Sequence, residues 1–150
     1  MLKTIYLDMD GTFVDLYGQP HWRESLEAKE VTPYVNAKPL VNLAHLARNL
    51  NTLQRKGYEI GIISWNCKGA DYEYAQEVKQ AKLEWLAKHM PSVKFDKIHI
   101  VAFGTPKHLI GIGGDKLLFD DEYANLTEWE ESGGRAFHAR DLANIMGLVD

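Results

Sequence analysis

The chain has 150 residues, 45% hydrophobic and 25% charged, so it is long enough to bury a core and has the composition of a folded globular protein. Its net charge of −4 disfavours a surface that coats nucleic acid, although a local basic patch stays open. Because the single Cys67 excludes an internal disulfide and no apolar run approaches the roughly 18 residues that cross a membrane, we expect one cytoplasmic domain, residues 1–150, without membrane contact.

The first half of the chain alternates apolar runs with helical patterns. Residues 4–7 predict a first strand, and apolar positions at helical spacing predict a helix over 40–55. Residues 58–63 predict a second strand. A second helix is predicted over about 71–89, because Pro91 prevents its continuation.

The second half continues the alternation with shorter elements. The patterns predict a strand over 97–103, a short helix over 106–110, a strand over 116–119, a helix over 123–131, a strand over 135–138 and a last helix over 142–146 that Asp141 could cap. Alternation of this kind predicts an α/β, Rossmann-like fold of three layers, with a central parallel sheet of about five strands and helices on both faces.

The most informative segment is Asp8-Met9-Asp10-Gly11-Thr12, directly after the first strand. Side chains at i and i+2 of an extended segment point the same way, so Asp8 and Asp10 can face one site. Burying two acids at a strand end is costly unless a cation or a reaction requires them. A surface turn is the alternative, since Asp and Gly are turn residues. A calcium loop is excluded because Gln19 stands where a Glu should close it.

Polar residues also follow three other predicted strands. Ser64 follows the second strand, Lys107 follows the third after a short turn, and Asp120 with Asp121 follows the fourth. Ligands of open parallel sheets bind beyond the carboxyl ends of the strands. We therefore expect these four side chains near Asp8.

Each of these residues also has a structural alternative. Ser64 could only satisfy a strand end, and the Asp120-Asp121 pair could form a turn or a helix cap. Lys107 has two rivals: Lys68 lies close to Ser64, and Lys116 should lie at the opposite end of the sheet.

The four places together resemble the haloacid dehalogenase-like (HAD) phosphatase superfamily. The signature Asp8-Met9-Asp10-Gly11-Thr12-Phe13-Val14-Asp15 is similar over its full length. The resemblance implies that Asp8 is a nucleophile forming an aspartyl-phosphate and that Asp10 is the acid and base. It implies Mg²⁺ held by Asp8, the backbone carbonyl of Asp10 and Asp120, with Asp121 binding directly or through water. Ser64 and Lys107 would contact the phosphoryl group.

Many members of this superfamily carry a cap domain, but only residues 16–39 are left over here, so we expect no sizeable cap. This segment, with Tyr17 and Trp22, could be a flap that stacks a base or a plain covering loop, which we prefer slightly. Trp65 and Asn66, directly after Ser64, are better candidates for substrate binding.

The later half of the chain is most similar to the 5'(3')-deoxyribonucleotidase branch, through residues 81–86, the strand end at 117–121 and Trp129. We expect a nucleoside monophosphate or another small phosphate ester as substrate. A phosphorylated nucleic-acid end, which the acidic net charge disfavours, and a non-catalytic binding module are the alternatives. Both a monomer and a homodimer fit the sequence.

Overall fold

The computed structural model describes residues 3–149. In chain order its strands are β1 (Lys3–Leu7), β2 (Val14–Asp15), β3 (Lys38–Pro39), β4 (Glu59–Trp65), β5 (Lys97–Val101), β6 (Asp115–Asp120) and β7 (Arg135–His138). Its helices are α1 (Trp22–Glu27), α2 (Thr32–Asn36), α3 (Leu43–Arg55), α4 (Tyr72–His89), α5 (Lys107–Ile110), α6 (Tyr123–Glu131), a 3₁₀ helix (Ala139–Asn144) and α7 (Ile145–Leu148).

The central sheet has five strands in the order β5-β4-β1-β6-β7, and every neighbouring pair is parallel. The predicted fold class is confirmed, including the number of strands and the alternation of strand and helix. Because β1 lies in the middle, its carboxyl end is flanked by the ends of β4 and β6. This order brings polar residues from separate parts of the chain to one edge.

Both faces of the sheet are buried, which explains the nearly continuous apolar runs in its inner strands. Ile5 and Leu7 face a large core that includes Leu50 of α3 and Trp85 of α4. Tyr6 points to the other face and packs edge-on against Trp129 of α6, with ring centroids 5.6 Å apart. The two cores hold β1 rigidly, so the residues that follow it are well positioned.

Several boundaries differ from the predicted ones. The first long helix begins at Leu43, three residues late, because the Asn42 side chain caps it by accepting from the His45 N–H. Strand β4 continues to Trp65, so Ser64 lies inside the strand and pairs with Ile100 of β5. Strand β5 ends earlier than predicted, at Val101.

The predicted last helix, with Asp141 as its cap, is wrong in its first half. Residues Ala139–Asn144 form a 3₁₀ helix, and only Ile145–Leu148 is α-helical. The capping side chain is His138, which accepts a hydrogen bond from the Arg140 N–H and so takes the place predicted for Asp141.

Residues 16–39 are not a plain loop, because they contain the short helices α1 and α2. Leu16 and Tyr34 pack against Tyr74, Val78 and Ala81 of α4. The pair β2 and β3 closes the segment as a two-stranded antiparallel sheet. Among residues 3–149, none of the helices has the length and apolar character that crossing a bilayer requires.

Candidate active site

Three aspartates form an acidic cluster, here Asp8, Asp120 and Asp121, where β1 and β6 end. The Asp8 N–H donates to the Phe119 carbonyl at 3.0 Å, which sets Asp8 beside Asp120. One carboxylate oxygen from each of the three residues lies within 4.8 Å of the others. Asp8 is only 6% exposed and Asp120 only 1%, so their charges require compensation.

Lys107, the first residue of α5, supplies part of that compensation. Its ammonium donates to Asp8 Oδ1 and to Asp120 Oδ2, each at 2.8 Å, and the side chain is 2% exposed. Burial lowers the pKa of Lys107, but the charges of Asp8 and Asp120 outweigh burial and hold the pKa above its ordinary value. Lys107 therefore carries a permanent positive charge between two of the three acids.

A second buried lysine, Lys82 of α4, holds Asp10. Its ammonium donates to Asp10 Oδ2 at 2.7 Å, to Ser64 Oγ at 2.7 Å and to the Trp65 carbonyl at 2.8 Å. Burial raises the pKa of Asp10, and the positive charge of Lys82 opposes that rise. Lys82 was missed from the sequence because it comes from a helix and not from a strand end.

The remaining carboxylate contacts fix the acids individually. Thr12 donates its hydroxyl to Asp8 Oδ2 at 2.8 Å. The Glu122 N–H donates to Asp120 Oδ1 at 2.9 Å, and the Asn125 amide donates to Asp120 Oδ2 at 3.1 Å. These bonds leave little rotational freedom to the two buried acids.

Asp121 is the most perturbed member of the acidic cluster. Burial and the nearby negative charge of Asp8 raise the pKa of Asp121 to about 8. Gly11 makes room for it: with φ at +84° and a Cβ position that would collide with the Asp121 carboxylate, residue 11 has to be glycine. The turn after Asp10 is thus shaped around Asp121, the residue that follows β6.

This arrangement fits a divalent cation such as Mg²⁺, which prefers carboxylate oxygens. Three convergent carboxylates, with one oxygen of each within 4.8 Å of the others, provide the ligands, and burial together with the negative charge of Asp8 raises the pKa of Asp121. The Asp10 carboxylate is held by Lys82, so its backbone carbonyl is the better donor to a metal.

A cavity of about 550 Å³ opens above the acids. Five aromatic residues line it, and we call this set the aromatic wall: Tyr17, Trp22, Tyr34, Trp65 and Phe103. Tyr17 is 53% exposed and meets Trp22 edge-on at 5.0 Å, while Phe103 is 49% exposed and lies 4.9 Å from Trp65. Residues 16–39 therefore line the cavity beside Asp8, and Trp22 is only partly buried.

Trp65 and Asn66 are the two residues after Ser64 that the sequence predicts to bind substrate. Trp65 lines the cavity, and its indole N–H donates to the Thr105 carbonyl at 2.8 Å. Asn66 also lines the cavity, but its amide already donates to the Ala75 carbonyl and accepts from the Cys67 N–H.

The two rivals of Lys107 lie elsewhere. Lys68 lies at the cavity edge, with its ammonium 5.8 Å from the Phe103 ring. Lys116 lies near the start of β6, where its ammonium is 4.5 Å from the Trp129 ring. The structure thus brings Lys107 to Asp8 and leaves Lys116 at the far end of the sheet.

Comparisons with known proteins identify the fold. A hydrolase from Streptococcus pneumoniae TIGR4 is similar over 97% of this chain and 98% of its own, with a TM-score of 0.57 and 10% identity. A D,D-heptose 1,7-bisphosphate phosphatase from Burkholderia thailandensis is similar over 97% and 99%, with a TM-score of 0.54 and 11% identity. A HAD family enzyme from Bacteroides thetaiotaomicron, in a magnesium complex, is similar over 91% and 92%, with a TM-score of 0.52 and 12% identity.

By sequence, no protein-family profile and no curated protein matches the chain. The structural similarity at these low identities establishes the fold, which this chain shares with a phosphatase, a hydrolase and a HAD family enzyme.

Proposed function

We propose that this chain is a Mg²⁺-dependent phosphomonoesterase of the HAD superfamily that works through an aspartyl-phosphate on Asp8. The observation that carries the proposal is the convergence of the acidic cluster, Asp10 and Lys107 at one edge of a HAD-type sheet. All five of these residues are ones that the sequence predicts just after the carboxyl ends of strands. The fold of known phosphatases supports the same assignment.

The metal ligands in this proposal are the carboxylates of Asp8, Asp120 and Asp121 and the backbone carbonyl of Asp10. When bound there, Mg²⁺ supplies positive charge that lets an anionic nucleophile approach a phosphate dianion. Lys107 contributes a second positive charge next to Asp8, which offsets the charge that phosphoryl transfer rearranges.

Asp8 is the nucleophile. Its carboxylate forms a bond to phosphorus while the bond from phosphorus to the leaving oxygen breaks, and Asp10 gives its proton to that oxygen. The raised pKa of Asp10 favours the protonated form that this step needs. Asp10 then takes a proton from water as the water attacks phosphorus and releases Asp8.

We propose a nucleoside monophosphate, or another small phosphate ester with a planar group, as the substrate. The aromatic wall supports this, because an exposed pair of rings at the cavity mouth can stack a base. In this account residues 16–39 act as a minimal cap on a single domain, with Trp65 as the ring nearest the phosphate and Asn66 fixing the backbone beneath it. We also propose that the protein is cytoplasmic and that it is either a monomer or a homodimer.

A phosphate-ester screen with Mg²⁺ tests the proposal. The panel contains an aryl phosphate, nucleoside 5'- and 3'-monophosphates, sugar phosphates and oligonucleotides phosphorylated at either end. Asp8→Asn should lose at least about a thousand-fold in rate, as expected for removal of a nucleophile. Asp115→Asn, the same chemical change at the other end of β6, is the matched control and should retain full activity.

The substrate profile decides between the alternatives. Preference for nucleoside monophosphates supports the proposed substrate, whereas preference for oligonucleotides makes the protein a nucleic-acid end phosphatase. Activity on sugar phosphates alone would exclude both substrates. Binding of Mg²⁺ without hydrolysis of any ester would instead favour a non-catalytic module, and equal rates for wild type and Asp8→Asn would refute the covalent mechanism.

A further inference from the structure

Lys82 has no role in the mechanism proposed above, although its ammonium group contacts residues of the site. An ammonium group has three N–H donors and no acceptor, and all three of those donors are satisfied inside the protein, by Asp10, Ser64 and the Trp65 carbonyl. The side chain is 2% exposed. It therefore has no donor left for a substrate, and any effect on the reaction has to pass through the groups that it holds.

The position of Lys82 differs from that of Lys107. Lys107 bonds two members of the acidic cluster, whereas the three bonds of Lys82 go to groups outside that cluster. Its ammonium also lies 5.4 Å from the ring of Tyr34, which belongs to the segment 16–39. Lys82 thus lies between the proposed acid and base, the proposed phosphate-binding hydroxyl and the aromatic wall.

We propose that Lys82 is a positioning residue that aligns the Asp10 carboxyl group and the Ser64 hydroxyl with the transferring phosphoryl group, an inference that rests on the proposed function. Because the ammonium holds Asp10 Oδ2, the other oxygen, Oδ1, is the one that carries the transferred proton. Because the ammonium donates to Ser64 Oγ, the Ser64 hydroxyl hydrogen is directed away from Lys82, which leaves it free to donate to a phosphoryl oxygen.

The consequence for the first step concerns the leaving group. As the Asp8–phosphorus bond forms and the bond from phosphorus to the leaving oxygen breaks, that oxygen receives the proton from Asp10 Oδ1. An alkoxide is a poor leaving group and depends on this proton, whereas a nitrophenolate leaves readily without it. Misplacing Asp10 should therefore harm alkyl esters selectively.

Lys82→Met, which keeps a long unbranched side chain and removes its charge and donors, tests this directly. We expect kcat/KM to fall about 10- to 100-fold more for an alkyl phosphate than for 4-nitrophenyl phosphate, since general acids contribute about 100- to 10,000-fold. Lys79→Met, an exposed lysine on the same helix, is the matched control and should change neither value. An equal loss on both esters, with an unchanged melting temperature, would overturn the assignment.

Restoring the ammonium group gives a second test. Lys82→Cys alkylated with bromoethylamine rebuilds the side chain with sulfur in place of one methylene, and we expect it to recover the alkyl-ester activity. If Lys82→Met fails to fold, Lys82→Gln replaces it. Folded, alkylated protein that stays as defective as Lys82→Met would contradict a role for the ammonium group.

A binding experiment separates this inference from the proposed function. Orthovanadate, a phosphate mimic, is titrated with Mg²⁺ into wild type, Ser64→Ala, Lys82→Met and the double variant. If Lys82 acts through Ser64, the double variant should bind no more weakly than Ser64→Ala alone. Additive losses would overturn that part of the inference even in an enzyme that hydrolyses esters. Wild type that binds vanadate but hydrolyses nothing refutes the proposed function alone, and wild type that does neither refutes both.

Discussion

The acidic cluster and the aromatic wall border the same cavity but are built on different physical principles. The cluster lies at the ends of two central strands, where Asp120 is 1% exposed and each buried acid has hydrogen-bond donors. The wall comes largely from short helices and loop ends, and Tyr17 in it is 53% exposed. The acidic cluster and Lys107, which form the buried floor of the cavity, are suited to chemistry that tolerates no displacement. The aromatic wall, in which Tyr17 and Phe103 are about half exposed, is suited to selection of a substrate.

We therefore expect substitutions in the floor to abolish turnover and substitutions in the aromatic wall to alter substrate preference. After Asp8→Asn, the largest effect should come from Lys107→Met. We expect at least about a 100-fold loss of kcat, as for removal of a preorganised charge partner. Because two buried carboxylates lose their cation, the free energy of unfolding without metal should also fall by about 3 to 5 kcal/mol.

Chemical denaturation with and without Mg²⁺ measures the loss in the free energy of unfolding of Lys107→Met. Mg²⁺ should restore much of the lost stability, because it replaces the missing charge. Lys116→Met is the control, since that lysine is buried at the far end of the sheet against Trp129. If Lys107→Met kept its activity and its stability, the floor would not depend on charge compensation.

An intermediate effect is expected in the wall. Trp22→Ala removes the ring that meets Tyr17, and base stacking contributes about 1 to 3 kcal/mol, so KM for a nucleoside monophosphate should rise roughly 10-fold. The rise should be much smaller for a small aryl phosphate. Tyr72→Ala, an aromatic residue that is 79% exposed at the start of α4, is the matched control for steady-state kinetics. If Trp22→Ala lowered kcat without changing KM, the aromatic wall would not be the part of the site that selects the substrate.

The last effect concerns the pH dependence of stability. In Asp121 the folded pKa is about 8 against an ordinary 3.8, so the folded state binds this proton more tightly than the unfolded state. Without Mg²⁺ the melting temperature should therefore fall as the pH rises between those two values. Mg²⁺ binding near neutral pH should release a proton from the same group.

Melting curves in a chelator, and calorimetry of Mg²⁺ binding in buffers of different ionisation enthalpy, measure the two effects. Asp121→Asn should flatten the pH dependence and abolish the proton release. A melting temperature that instead rises with pH in the wild type, in the range set by Asp121, would show that this acid is not the proton-binding member of the floor.

Much of the floor could be predicted from the sequence because it obeys a simple rule. Alternating strands and helices predict a parallel sheet, and the carboxyl ends of its strands predict where Asp8, Ser64 and Asp120 meet. Lys107 could be preferred over Lys116 on the same ground. The structure joins Asp8, Lys107 and Asp120 directly, whereas Ser64 is connected to Asp10 through Lys82; the roles of these residues remain proposals.

The rest of the site escaped prediction for physical reasons. Lys82 follows Val78 by four residues and precedes Trp85 by three, so helical spacing places it on the buried face of α4. This spacing could have indicated that Lys82 is buried. A buried lysine is costly unless it pairs with an acid, and the sequence does not show that Asp10 lies close to Lys82 in the fold. Helices α1 and α2 were missed because none of the six residues of α1 is buried and α2 has only five residues, so neither shows an apolar helical period.

The central claim is the covalent attachment of phosphate to Asp8. The most direct measurement is mass spectrometry of peptides from protein that is quenched in acid during turnover of its best phosphate ester with Mg²⁺. We predict phosphate on Asp8 in the wild type, with a larger trapped fraction in Asp10→Asn, because the water that cleaves the intermediate then lacks its base. Turnover without phosphate on Asp8 in either protein would contradict the account.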